Sequence, residues 1–182
     1  MENKILLALL VSFALISLAE KPGADPFLGQ WALDVASSRY PAGTCPRSMT
    51  IEMSAADPGI RYRSDTVLRN GSVVHAYYTA RYDGVSAIVM GDHGMLLPVS
   101  LKRPNANTVV ATYTRALEVV ATSRRVVSAD SHKMIITTTS HDLLGRQVTN
   151  VGIYRRVKRA EAGISWSAVQ ETATTFNAFS QK

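Results

Sequence analysis

The sequence predicts an all-β protein, a single antiparallel up-and-down β-barrel of about 8–10 strands with a C-terminal tail. Three observations predict it. Runs rich in Val, Ile, Thr and Tyr follow one another from Phe27 to Val157. Within the runs, residue character alternates with the period of a half-buried strand. Short clusters of turn-forming residues separate them, and no intervening segment is long enough to supply the helices of βαβ units.

The chain opens with an apolar run from Ile5 to Leu18, broken only by Ser12 and Ser17. Lys4 and the amino terminus put positive charge ahead of it, and Ser17-Leu18-Ala19 offers small residues for cleavage. This pattern predicts a signal peptide over residues 1–19, cut after Ala19, and hence a periplasmic or secreted protein. The run falls short of the about 20 apolar residues of a membrane span, and no later stretch reaches that length. An uncleaved N-terminal anchor is the alternative. No membrane span is expected after cleavage, and no cysteine follows the leader to anchor a lipid. Residues 20–26 form a short polar linker, 27–157 the barrel and 158–182 the tail.

Ten strands are expected: Phe27–Val35, Met49–Ser54, Ile60–Leu68, Ser72–Tyr82, Ser86–Met90, Leu96–Lys102, Thr108–Ala116, Glu118–Ser128, Lys133–Ser140 and Gln147–Val157. Turn chemistry separates them at Asp57-Pro58-Gly59, Asn70-Gly71, Asp83-Gly84, Gly91-Asp92-His93-Gly94, Pro104-Asn105, Asp130-Ser131 and Leu144-Gly145. Asn70-Gly71 between two alternating runs is a strong hairpin signal, because both residues tolerate positive φ. In the fourth strand Val74, Ala76, Tyr78, Ala80 and Tyr82 share one face, and Val73, His75, Tyr77, Thr79 and Arg81 the other. Such a meander avoids sticky edges by closing on itself. In the tail, Trp166, Val169, Ala173 and Phe176 have roughly helical spacing, which suits a weak amphipathic helix on the barrel as well as it suits a frayed end.

The formal charge of +6 is spread along the chain, with Arg124-Arg125 and Arg155-Arg156-Val157-Lys158-Arg159 its densest groups. These read as a solvated strand face and a charged strand end, not as a nucleic-acid site. The single cysteine, Cys45, excludes an internal disulfide, so the core alone holds the fold. A monomer is expected.

Catalytic and metal signatures are sparse. There is no Gly-x-Ser-x-Gly elbow, no phosphate loop and no metal-ligand spacing, so neither a metal nor another cofactor is predicted. His93, His132 and His141 fall at or beside turns. His75 lies mid-strand with Tyr77 on the same face. If that face lines the lumen, the pair can bond a ligand or act as acid and base; otherwise it is an ordinary outer face.

Residues Phe27, Gly29, Trp31, Leu33, Ser38 and Tyr40 form a Phe-x-Gly-x-Trp-x-Leu strand followed by a Ser-x-Tyr turn. With the Tyr82-Asp83-Gly84 hairpin, the block from Arg125 to Asp130 with Lys133-Met134, and Asn150-Val151 through Tyr154, this pattern resembles the small secreted lipocalin-like domains of bacteria. It is also similar to the wider calycin group of lipocalins and fatty-acid-binding proteins. The resemblance spans Phe27 to about Val157. It implies a barrel with Gly29 and Trp31 as structural residues, Trp31 lying across the closed end. The Arg-x-Tyr that holds a carboxylate in fatty-acid-binding proteins would fall at Gly152-Ile153-Tyr154, where the tyrosine is present and the arginine is not.

The function expected is that of an exported barrel holding a small hydrophobic molecule in its interior. His75, Tyr77, Tyr62, Tyr113 and Tyr154 are the candidate ligand-binding residues. Two alternatives stand beside it: a small barrel isomerase or cyclase using His75 and Tyr77, and an envelope structural or protein-interaction module with a filled core.

Overall fold

A computed structural model describes residues 25–92, 94–142 and 144–157. The expected signal peptide, residues 20–24 of the linker and the 158–182 tail lie outside the described residues. Twelve strands form one antiparallel sheet: β1 (Gly29–Leu33), β2 (Ser48–Ala55), β3 (Ile60–Val67), β4 (Val73–Ala80), β5 (Asp83–Ala87), β6 (Met90–Gly91), β7 (Gly94–Met95), β8 (Val99–Asn105), β9 (Thr108–Arg115), β10 (Glu118–Val127), β11 (Lys133–His141) and β12 (Gln147–Arg156). Their order is β5-β8-β9-β10-β11-β12-β1-β2-β3-β4-β6-β7. The first strand pairs with the last, Trp31 opposite Arg156, so the meander curls back on its beginning. This is the all-β, antiparallel architecture that the sequence predicts.

The expected meander differs over residues 86–105: β8 begins at Val99, not Leu96, and runs through the expected Pro104-Asn105 turn, and the expected Ser86–Met90 strand is divided, which shapes the molecule. Instead of one strand over Ser86–Met90, β5 pairs with β8 while Met90–Gly91 pairs with β4. Asp83-Gly84 does not make a paired hairpin either. Gly84 has φ +86, and a register shift between Asp83 and Ser86 carries β5 away from β4. The two strands of the seam are thus joined in sequence but not by a ladder. Ala87 and Met90 belong to opposite ends of the sheet yet are three residues apart. Three residues reach at most about 11 Å, so the ends of the sheet must meet. The result is a barrel with one seam, between β4 and β5.

The lower half is filled. Phe27, Trp31, Ile51, Leu101, Val127 and Met134 are at most 2 % exposed. The Trp31 Nε1–H donates to the Phe27 carbonyl at 2.9 Å, and the Arg156 guanidinium lies 4.2 Å from the centroid of its ring. Arg156 also donates to the Leu28, Pro26 and Ser131 carbonyls, tying the chain entry to β12. Gly29 makes room for this. Its φ is +114, and a Cβ there would stand 2.7 Å from Arg156 Nη1. Beside it Arg103 forks onto Asp25 at 2.8 and 2.9 Å and spans the rings of Phe27 and Tyr82.

Turn chemistry is only partly as the sequence suggests. At Asn70-Gly71 the hairpin forms, but Leu68 and Ser72 close it and Gly71 alone has positive φ. A tight two-residue turn with positive φ at both positions occurs at Ala116-Leu117, with φ of 48° and 70° between paired Arg115 and Glu118. Those φ values match the right-handed twist of a hairpin but suit Asn-Gly, not Ala-Leu, since Asn tolerates the left-handed region and Gly has no Cβ to clash. Leu117 is 97 % exposed, so it gains no packing in return. The double substitution Ala116→Asn with Leu117→Gly is therefore expected to stabilise the fold by about 1 kcal/mol and raise Tm by roughly 2–4 °C. Thermal unfolding followed by circular dichroism checks it; an unchanged or lower Tm contradicts the strain.

Candidate functional site

Above the filled half, the interior turns from apolar to aromatic and charged. The central group is Arg125, only 3 % exposed on β10. Its neighbours two residues away on the same face, Ser123 and Val127, are buried as well, while Arg124 faces solvent. Arg124-Arg125 is thus not the solvated pair that the charge pattern suggested; strand alternation puts one of the two inside. The sequence offered little to choose between them, because each face of β10 carries one arginine together with valines.

Four strands build the surroundings of Arg125. Nη1 donates to the Tyr78 hydroxyl at 2.9 Å, and Nη2 donates to that of Tyr113 at 3.3 Å. The guanidinium lies over the Tyr62 ring, 4.8 Å from its centroid, and Tyr62 stacks on Tyr78 at 4.7 Å with 11° between planes. Tyr62 and Tyr78 are partners in the β3–β4 ladder, so register alone places the stack. No carboxylate pairs with Arg125 among the described residues, and its Nε is buried with no hydrogen-bond partner there. Burial works against the charge, but interactions with Tyr78, Tyr113 and Tyr62 outweigh it and hold the pKa above its ordinary value. The guanidinium keeps its proton at any working pH.

The phenols around it are neutral. Burial pushes the Tyr62, Tyr78 and Tyr154 hydroxyls up from their usual range, and that of Tyr82 up to about 12. Because Tyr78 and Tyr113 accept from Arg125, each has its own O–H left to donate. The cluster therefore presents donors and a fixed positive charge. It is matched to a group that accepts hydrogen bonds and carries negative charge.

Two cavities adjoin the cluster. One of ≈ 290 Å³ is bordered by Arg125, Tyr62, Tyr113 and Tyr154, with Thr138 and Asn150 adding polar atoms. The other, of ≈ 580 Å³, lies toward the seam and is mostly apolar, bordered by Ala76, Val89, Leu96 and Leu97. Three of the five sequence-chosen ligand residues, Tyr62, Tyr113 and Tyr154, thus meet at the first cavity. Gly152 helps shape it. A Cβ there would stand 2.8 Å from the Tyr154 ring and 2.9 Å from the Tyr40 hydroxyl, so the position has no room for an arginine.

His75 and Tyr77 are placed elsewhere. The phase of β4 is set by Tyr78 and Ala80, which are buried, so its other face points outward and Tyr77 is 51 % exposed. The expectation of an interior His75–Tyr77 pair is corrected on this ground. His75 Nδ1 bonds the Asp65 carboxylate across the β3–β4 ladder, and its backbone N–H donates to Asp92 at 3.0 Å. Together with Met90 and Ile88 they border an external groove.

The buried phenols make stability depend on alkaline pH. A folded-state pKa raised above the unfolded value means that the native chain holds protons the unfolded chain has released. The stabilisation is fully present below the unfolded tyrosine pKa of about 10 and falls as pH rises through the folded values. Urea midpoints should hold steady to about pH 9 and drop beyond about pH 10, the phenolate absorbance of these tyrosines emerging only with unfolding. Free titration near pH 10 in a chain that stays folded contradicts their burial.

No protein-family model matches the sequence, and no curated protein does. Among solved structures the chain is similar to the zebrafish ileal bile acid-binding protein complexed with cholic acid, at 14 % identity over 72 % of this chain and 99 % of that one, with a TM-score of 0.48. It is also similar to lobster apocrustacyanin A1, at 12 % identity over 88 % of this chain and 75 % of the other, and to apocrustacyanin C1, at 12 % identity over 90 % and 76 %. Both have TM-scores of 0.38. The fold rests on the strand order and the β1–β12 closure described above.

Proposed function

We propose that the barrel binds one small amphipathic anion, its negative group on Arg125 and its apolar part in the cavity beside it. The observation that carries this reading is a buried guanidinium that no carboxylate of the described chain neutralises, bordering one cavity that Tyr62 and Tyr113 share with a second, mostly apolar one. A charge removed from water is costly unless matched, and a site left short of one partner favours the ligand that supplies it. The apolar lining supports the hydrophobic ligand expected from the sequence; Arg125 adds the demand for an anionic end. The enzymatic alternative needed His75 and Tyr77 to converge inside and loses its support. The two cavities likewise count against a filled core.

Stability and binding should separate on one substitution. Arg125→Met replaces a buried charge by an apolar chain of similar length, an exchange that is commonly neutral or stabilising for folding. The variant should keep or raise Tm while losing affinity for a probe such as dodecanoate by at least about tenfold, measured by calorimetry. A variant that unfolds, or that binds the acid as well as the parent, sinks the anionic reading. Native mass spectrometry of the purified protein should also show a co-purifying lipophilic acid that solvent extraction removes.

The reading includes export, supported by the apolar run of residues 5–18 and the small residues before Glu20. N-terminal sequencing of protein expressed in a Gram-negative host should find the periplasmic form beginning at Glu20. Recovery of intact chain from the cytoplasm alone counts against it.

A further inference from the structure

We propose that Tyr113 is a movable partition between the two interior cavities and that it sets how long an apolar tail the site accepts. The inference rests on the amphipathic-anion reading above and adds the residue that decides ligand length. Tyr62 and Tyr113 are the two residues that border both cavities. They are held very differently. Tyr62 is buried, stacked on Tyr78 on one side and covered by the Arg125 guanidinium, so it is a fixed wall. Tyr113 is only partly buried. The hydrogen bond from Arg125 to its hydroxyl is the longer of the two phenol contacts, at 3.3 Å against 2.9 Å for Tyr78.

The backbone around Tyr113 has slack as well. Its partner on β10 is Ala121, the first pair after the register shift between Val119 and Ala121. The strained Ala116-Leu117 turn follows three residues after Tyr113. A bulge interrupts the ladder locally and re-aims the side chains beside it. Rotation of the Tyr113 ring therefore gives up one long hydrogen bond and the contacts of a half-buried ring at the edge of the core. A ligand anion seated on Arg125 replaces that bond.

With Tyr113 in place, a short acid occupies the smaller chamber next to Arg125. A long one must push the ring aside to pass its tail to Val89, Leu96 and Leu97 in the larger chamber. The long ligand alone bears the cost of moving the ring, so removing the ring should help it alone.

The test is the ratio of affinities for hexadecanoate and octanoate, measured by calorimetry on the full-length protein and on Tyr113→Ala. Tyr113→Leu serves as a second variant in case the alanine protein does not fold, and near-ultraviolet circular dichroism checks folding of each. Each methylene newly buried is worth about fourfold in affinity, so freeing even two of them should raise the long-to-short ratio by at least about tenfold. Tyr113→Phe, which keeps the ring and loses the hydroxyl, should leave the ratio within about threefold of the parent. If the parent binds both acids through Arg125 and the ratio does not move in the alanine or leucine variant, the partition is wrong and the anion site stands. If the parent binds neither acid, the anion site falls and the partition with it.

Discussion

The interior of this barrel is organised around a positive charge that has no negative partner within the described chain. Arg125 can sit there because its neighbours are hydroxyls and π-faces. Tyr78 and Tyr113 accept hydrogen bonds from it, Tyr62 lies under its plane, and the Tyr62–Tyr78 ladder pair keeps both rings in register. Each element is ordinary, but their combination determines much else. The phenols stay neutral, their free protons become donors, and the polar and apolar cavities meet at Tyr62 and Tyr113 beside the guanidinium.

Arginine carries out a second, structural task at the opposite end. Arg156 covers the face of Trp31 and gathers three backbone carbonyls, while Arg103 forks onto Asp25 between two aromatic rings. Both bind the incoming chain to strands far away in sequence, where an up-and-down sheet would otherwise depend on the short β1 ladder alone. The same chemistry therefore closes the bottom of the barrel and leaves the middle open to a ligand. The difference is satisfaction. The closed-end arginines find carbonyls or a carboxylate within the chain, and Arg125 retains an unpartnered Nε.

Much of the fold was legible before the structure. The positions of β2 to β4 and of β9 to β12 follow from the run of β-branched residues and the turns between them, because period-two burial leaves a direct trace. The seam was not legible. Ser86 to Met90 reads as one continuous strand, and only pairing with β8 on one side and β4 on the other divides it. The site was half legible. Tyr62, Tyr113 and Tyr154 stand out as large amphipathic residues in alternating strands. Arg125 does not, since a pair of adjacent arginines looks the same whichever one turns inward. His75 and Tyr77 drew notice for their chemistry, and it was the burial of Tyr78 that sent them outside.

The sequence by itself determined the class and direction of the architecture: an antiparallel sheet of short strands, with a glycine at position 29 and a tryptophan at 31 opening it. Those are local properties, carried by alternation, turn residues and the steric freedom of glycine. Only the tertiary structure decided which face of each strand is the lumen. A strand has two faces and a curled sheet has one inside, so orientation is fixed by what the strands across the barrel need to bury. That choice brought Arg125 in, turned His75 out and divided the interior at Tyr113.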